Sequence, residues 1–318
     1  MTAIRLGLED AINKDHLSLI KRYLLYRRGP GLSPPTNITR IGIAGQGKYG
    51  KPLIEYEIAD KAIGNIEYVL VKEVDNPRIA EIEYKVCKGL REKGIRFNES
   101  LGYKDNYVLL RREDGRGSAE VIEDLWGSPL ASEPRRLMFQ IIVQALDIHQ
   151  ALEGILSDSD KESLELWKRK KLAERLGIDA TDIGEDYYAW RIIDALGRDF
   201  GDLYRYFNDL LANSRKAWII DTRPANRLIS RGLEGWQSIA IDADMITYES
   251  PAIEFAQVSD FLNYNMDPGD TADFFVFGVL EDYRRRWEKA GKDTRQIVAV
   301  LRAVQGYQPG TSPDFVLH

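Results

Sequence analysis

The spacing of apolar positions changes several times along the chain, and each change marks an element. Over residues 7–28, Leu17, Ile20, Leu24 and Leu25 recur at helical spacing, and Lys21, Arg22, Arg27 and Arg28 put positive charge where a helix C-terminus favours it. The stretch GPGLSPPTN ends that helix, since glycine and proline do not continue one cheaply. Taken alone such a helix suits a membrane surface, a partner, or, most simply, packing across its own lobe. From residue 37 the period drops to two. ITRIGIA, then PLIEYEIAD with Ile54, Tyr56 and Ile58 alternating with Glu55 and Glu57, then IEYVLVKEV predict three strands. RIAEIEYKVCKGLREKG returns to helical spacing through Ile79, Ile82, Val86, Cys87 and Leu90. NYVLLRRED reads as a strand, and SAEVIEDLWGS as a further apolar strand with an acidic, glycine-containing exit.

The second half is mostly helical in period. A helix beginning at Pro134 carries Leu137, Ile141, Ile142, Ala145, Leu146 and Leu152. SDSDKESLELWKRKKLAERLG predicts a polar, charged helix, and DYYAWRIIDALGRDFGDLYRYFNDLLANS one or two more. Two short apolar runs interrupt this pattern, residues 218–220 and 238–241, and both read as strands. Beyond residue 254 the pattern is helical again, with an aromatic stripe through Phe277 and Tyr283 and a basic run, Arg284-Arg285-Arg286, that reads as a solvated face.

A chain of 318 residues can bury a large core and divide into two lobes. Its formal net charge of −6 argues against a nucleic-acid partner. No apolar run is long enough to span a bilayer and no signal-peptide pattern opens the sequence, so no membrane partner is expected. The single cysteine, Cys87, excludes an internal disulfide framework and fits a reducing, cytoplasmic compartment. His16, His149 and His318 are far apart and follow no zinc pattern.

Two stretches carry candidate chemistry. Gly45, Gly47 and Gly50 match Gly-x-Gly-x-x-Gly, a pattern that lets backbone amides approach phosphate oxygens. A dinucleotide site would place a helix directly after Gly50, whereas a kinase-type loop joins two antiparallel strands. A glycine hairpin without ligand is the plainer alternative. The second stretch spans residues 217–256. The apolar run 218–220 delivers Asp221 into a turn closed by Pro224, Asn226 follows, and the run 238–241 ends on Asp242 with Asp244 two residues later. Hard oxygen ligands of these types suit Mg²⁺, although Asp and Asn also close ordinary turns.

The second stretch resembles the catalytic loop and metal segment of the aminoglycoside phosphotransferase and choline kinase group. The family loop reads His-Gly-Asp-Leu-His-Pro-Gly-Asn, against Ile219-Ile220-Asp221-Thr222-Arg223-Pro224-Ala225-Asn226 here. Asp, Pro and Asn fall in register. Isoleucines replace the first His and Gly, and Arg223 stands where the second His is expected. Ile241-Asp242 resembles the Ile-Asp of the metal segment, and Ser250-Pro251-Ala252-Ile253-Glu254-Phe255-Ala256 the downstream Asp-Pro-Ala-x-Asp-Leu-Ala.

The resemblance implies an α+β, two-lobed protein-kinase-like fold. Its small lobe, residues 37–126, is an antiparallel sheet with one main helix. Its larger, mostly helical lobe, residues 127–318, carries a helical insertion at 153–215, and an extra helix and linker occupy residues 1–36. It further implies transfer of the γ-phosphoryl group of ATP to a hydroxyl of a small molecule, with Mg²⁺. Asp221 would be the base, and Asn226 and Asp242, with Asp244 lesser, would hold the metal. Lys72 would contact the phosphates, paired with Glu83 or, as runner-up, Glu81. Backbone from Glu123 to Leu125 would face the adenine edge. His149 is expected to serve packing and loop support. Tyr187, Tyr188, Trp190 and Asp194 are candidates for the acceptor site, although Trp190 reads as core. The Ile219-Ile220 departure keeps a second reading open, a kinase-like nucleotide-binding regulator with weak or no catalysis.

Overall fold

The computed structural model describes residues 12–28, 36–46, 51–60, 64–118, 120–121, 124, 132–183, 217–220, 226–232, 235–243, 246–249, 284–285, 288–289 and 291. The chain is an α+β protein of two compact units, residues 1–89 with 98–113 and residues 90–97 with 114–318. The first is organised on a sheet and the second is richer in helix.

Five antiparallel strands form the first sheet: β1 (Thr36–Gln46), β2 (Pro52–Asp60), β3 (Asn65–Glu73), β4 (Ser100–Lys104) and β5 (Tyr107–Arg111), in the order β1-β2-β3-β5-β4. Side chains alternate across it. Val69, Val71 and Leu109 face helix α1 (Lys14–Arg28), and together with Ile54, Tyr56 and Ile58 they form one core with Leu19, Ile20, Tyr23 and Leu24 of that helix. Asn13 starts α1 by accepting the Asp15 amide at 2.8 Å.

The apolar face of α1 is rotated from the one expected. Leu25 lies in solvent, and the buried stripe is His16, Leu19, Ile20, Tyr23 and Leu24. Amphipathic side chains complete that stripe because their polar tips find partners on the sheet. His16 Nδ1 lies 2.8 Å from the Tyr56 hydroxyl, and Tyr23 donates to Glu67 at 2.9 Å. The helix therefore packs across its own lobe.

Leu70 and Lys72, on the opposite parity of β3, face helix α2 (Pro77–Glu92). Asn76 accepts the Ile79 amide at 3.0 Å, and Pro77 follows at the first helical position, where its missing N–H costs nothing. Ile79, Ile82, Glu83, Val86 and Leu90 form the buried stripe of α2, so one carboxylate sits in an apolar row.

In the second unit, β6 (Arg116–Gly117), β8 (Arg227–Gly232) and β9 (Gly235–Ala240) form a small antiparallel sheet, and β7 (Ala217–Ile220) pairs with β10 (Ile246–Glu249). Helix α3 (Ser132–Ile155) buries Leu137, Ile141, Ala145, Ile148 and Leu152. Helix α4 (Asp158–Leu176) is the polar helix expected there. It opens on a capping box between Ser157 and Asp160 and closes on Gly177 at φ 66, a conformation glycine adopts without penalty.

Where a strand is expected over residues 118–125, the described residues form none. Ser118, Glu120, Val121 and Asp124 are helical, and Arg116 donates to Glu120 at 2.8 Å and to Asp124 at 2.6 Å, acceptors a helical turn apart. β5 is already flanked by β3 and β4, so the first sheet has no place for another strand beside it.

Candidate functional site

Gln46 pairs with Pro52 and Gly45 with Leu53, so the glycine stretch joins two antiparallel strands. That connection, in an all-antiparallel sheet, overturns the dinucleotide-binding alternative, which requires a βαβ crossover. Gly47 and Gly50 lie outside the described residues. A Cβ at Gly45 would meet nothing within 4 Å, so packing does not call for glycine there. Lys51, which follows the stretch, bonds Glu73 at 3.1 Å, Asp75 at 3.4 Å and the Val74 carbonyl at 3.3 Å. These contacts tie the end of the loop to the β3–α2 connection.

Lys72 reaches from β3 to α2 and donates to Glu83 at 2.9 Å. Glu81 turns outward and pairs with Arg78 at 2.7 Å, so the two glutamates have separate partners. The Glu83 side chain is 1% exposed. A buried ion pair offsets its desolvation only when well formed, and removing one partner strands the other charge. The pair fixes an ammonium at the end of β3, on the sheet face opposite α1.

In the second unit the β8–β9 hairpin brings Asn226 and Asp242 together. Arg227 pairs with Ala240, and the Ile241 amide donates to the Asn226 carbonyl at 2.9 Å, so both residues sit at the same open end of the hairpin. Asp242 has φ 71. Among the described residues the other non-glycine with positive φ is Asp105, in a two-residue hairpin turn that calls for it. Asp242 occupies no such turn, and a left-handed non-glycine residue costs roughly 1–3 kcal/mol. Its backbone is held by the Asn226–Ile241 bond and by the Ala240 amide, which donates to the Arg96 carbonyl at 3.2 Å. Asp221, Arg223 and Asp244 lie outside the described residues, as do Glu123, Leu125, Tyr187, Tyr188, Trp190 and Asp194.

Around that hairpin lies a polar cluster the sequence did not disclose. Buried Arg227 donates to Gln144 Oε1 of α3, and Gln144 Nε2 donates to the Arg96 carbonyl at 2.5 Å. His149 donates to the Ile220 carbonyl, directly before Asp221, which is the loop support expected of it. Burial, reinforced by the Arg227 guanidinium, pushes His149 down to about 3.

The donor types at the hairpin fit Mg²⁺, which one or two carboxylates hold alongside substrate phosphates without an all-protein cage. Among the described residues no three His, Cys, Asp or Glu converge as a denser metal cluster would. No helix among them is long and apolar enough to cross a membrane.

The chain matches no protein-family model and no curated protein sequence. Among solved structures it is similar to an ethanolamine kinase of Plasmodium vivax, with TM-score 0.45 and 15% identity over 92% of this chain and 79% of that one. It is also similar to the Helicobacter pylori proinflammatory kinase CtkA, with TM-score 0.28 and 12% identity over 86% of this chain and 87% of that one. Both are remote likenesses.

Proposed function

We propose that the protein is an ATP-dependent phosphotransferase that moves the γ-phosphoryl group to a hydroxyl of a small molecule. The observation that carries this reading is the Lys72–Glu83 pair, a buried ammonium held at 2.9 Å on a sheet whose first hairpin contains the glycine stretch. Lys72 would grip the phosphates, and Glu83 would hold Lys72 in place. Asn226 and Asp242 would hold Mg²⁺, with Asp244 a lesser ligand. The metal would neutralise charge on the phosphate oxygens. Asp221 would orient the acceptor hydroxyl and accept its proton, and Arg223 would stand beside it in the same loop. Gly45, Gly47 and Gly50 would offer backbone amides.

The adenine edge is reassigned. The first sheet ends with β5, so the backbone leaving it at Arg112 and Glu113 takes the role first given to Glu123–Leu125. The acceptor is read as a small polar molecule, with no nucleic acid or membrane involved. The isoleucines before Asp221 favour a second reading, a nucleotide-binding regulator that transfers nothing.

A nucleotide-consumption screen with Mg²⁺ against small alcohols and amino alcohols tests the proposal, with calorimetry of Mg-ATP beside it. Binding with turnover supports the enzyme, and binding without turnover on any acceptor supports the regulator. No binding under any metal condition sinks both.

A further inference from the structure

The loop that carries Asp221 and Asn226 leaves β7 at Ile220 and enters β8 at Arg227. Arg227 is 0% exposed and is among the largest fully buried side chains. Its guanidinium donates to Gln144 Oε1 on α3 and reaches Ser238 Oγ on β9 at 3.5 Å. Gln144 Nε2 in turn reaches the Arg96 carbonyl at 2.5 Å and the Ser238 carbonyl at 3.4 Å. The Arg96 carbonyl also takes the Ala240 amide, two residues before Asp242. Further along α3, His149 holds the Ile220 carbonyl. One helix thus reaches the end of β7 through His149 and the start of β8 through Arg227, and the same glutamine reaches β9, which ends at Ala240, two residues before Asp242.

Packing alone would not select arginine here. Moving a charged group into the interior costs several kcal/mol, and an apolar side chain of similar volume often fills such a site with no loss of stability. What arginine adds here is directed bonding, since its Nη1 reaches side chains on two elements, Gln144 on α3 and Ser238 on β9. We propose that Arg227, with Gln144, is a positioning residue that ties the open end of the β8–β9 hairpin, where Asn226 and Asp242 sit, to α3. The assignment rests on the phosphotransferase reading for its purpose, but its physical content, a hairpin anchored through Arg227, is measurable without turnover.

Amide hydrogen exchange on the full-length protein supplies that measurement. In Arg227→Met, peptides covering residues 226–232 and 238–243 should exchange about tenfold faster, while β2 and β3 peptides keep the parent rate, because only a local opening is eased. Arg227→Lys keeps the charge without the guanidinium and should restore part of the protection. Gln144→Leu leaves the arginine but removes its acceptor, and it should loosen the same peptides. If Arg227→Met does not fold, Gln144→Leu decides alone. Parent-like exchange over residues 226–243 in the folded variants overturns the proposal.

A second readout separates positioning from mere stability. The Mg²⁺ concentration that half-saturates ATP binding should rise about tenfold in Arg227→Met, with metal-free ATP affinity unchanged and Arg227→Lys recovering part of the shift. Lowered thermal stability with an unmoved Mg²⁺ midpoint assigns Arg227 a structural role only and overturns the proposal. A parent protein that binds no nucleotide sinks the phosphotransferase reading instead, and the exchange comparison then decides the anchoring by itself.

Discussion

Lys72 and Glu83 show what one ion pair does at the scale of residues. Both charges are buried, so each depends on the other for its solvation. Lys72→Met leaves Glu83 uncompensated, and urea unfolding should show a loss of about 3–5 kcal/mol. Lys72→Met combined with Glu83→Leu removes both charges and should recover most of that loss, yet Mg-ATP binding should stay absent in calorimetry. Recovery of binding together with stability would remove Lys72 from the site. The pair was legible only through the family resemblance, which left Glu81 open beside Glu83, and the contact at 2.9 Å decides between them. Arg227 was not, since an arginine at the start of a short strand reads as its solvated position, and only the contact with α3 shows that it is buried.

His149 adds a pH signature at the same scale. Burial first and the Arg227 guanidinium second hold its folded-state value at about 3, against an ordinary 6.5. The unfolded chain therefore takes up a proton near pH 6.5 that the folded chain refuses. The stability due to neutral His149 is fully present above that pH and drains away as pH falls towards 3. The ceiling on this slope is about 1.4 kcal/mol per pH unit. Burial also lowers His16, so the first unit loses stability in the same direction. His149→Gln should flatten the acid limb of the urea-unfolding curve, with the His16 share remaining. An acid limb as steep as the parent's would show that the imidazole is solvated.

Elements follow from the pattern where that pattern is long. The three alternating strands, the stripe of α2 and the polar α4 were legible because each extends over several repeats of its period. Residues 118–125 were misread because a short apolar run has no period to separate strand from helix; the placement of acids at helical distance from Arg116 decides it. The register of α1 was likewise hidden, since Tyr23 and His16 enter the core only because the sheet presents Glu67 and Tyr56 to their polar ends. That helix closes the sheet face carrying Val69, Val71 and Leu109. Ile20→Ala should therefore cost about 2–5 kcal/mol in chemical denaturation, as a core truncation does. A loss under one would mean that α1 is an appendage on a sheet already closed without it.

Across the whole molecule, the two units divide the proposed work, with phosphate contacts in the first and metal ligands and acceptor chemistry in the second. No feature of the sequence names the acceptor. Asp221 is the group whose loss should separate binding from transfer. It follows Ile220, whose carbonyl His149 holds, and it opens the loop that Arg227 closes. Asp221→Asn preserves size and most hydrogen bonding but removes the charge that would orient and deprotonate the hydroxyl. General-base contributions of this kind are typically about 10²–10⁴ in rate, or roughly 3–5 kcal/mol of barrier. ATP affinity should change little, because in the proposed reaction Lys72 and the glycine stretch would hold the nucleotide. Misfolding would abolish binding as well, so calorimetry on the same preparation distinguishes the two. Once turnover is measured in the parent protein, a variant that keeps it within about a factor of two removes Asp221 from the chemistry, since such a change lies far below any general-base effect.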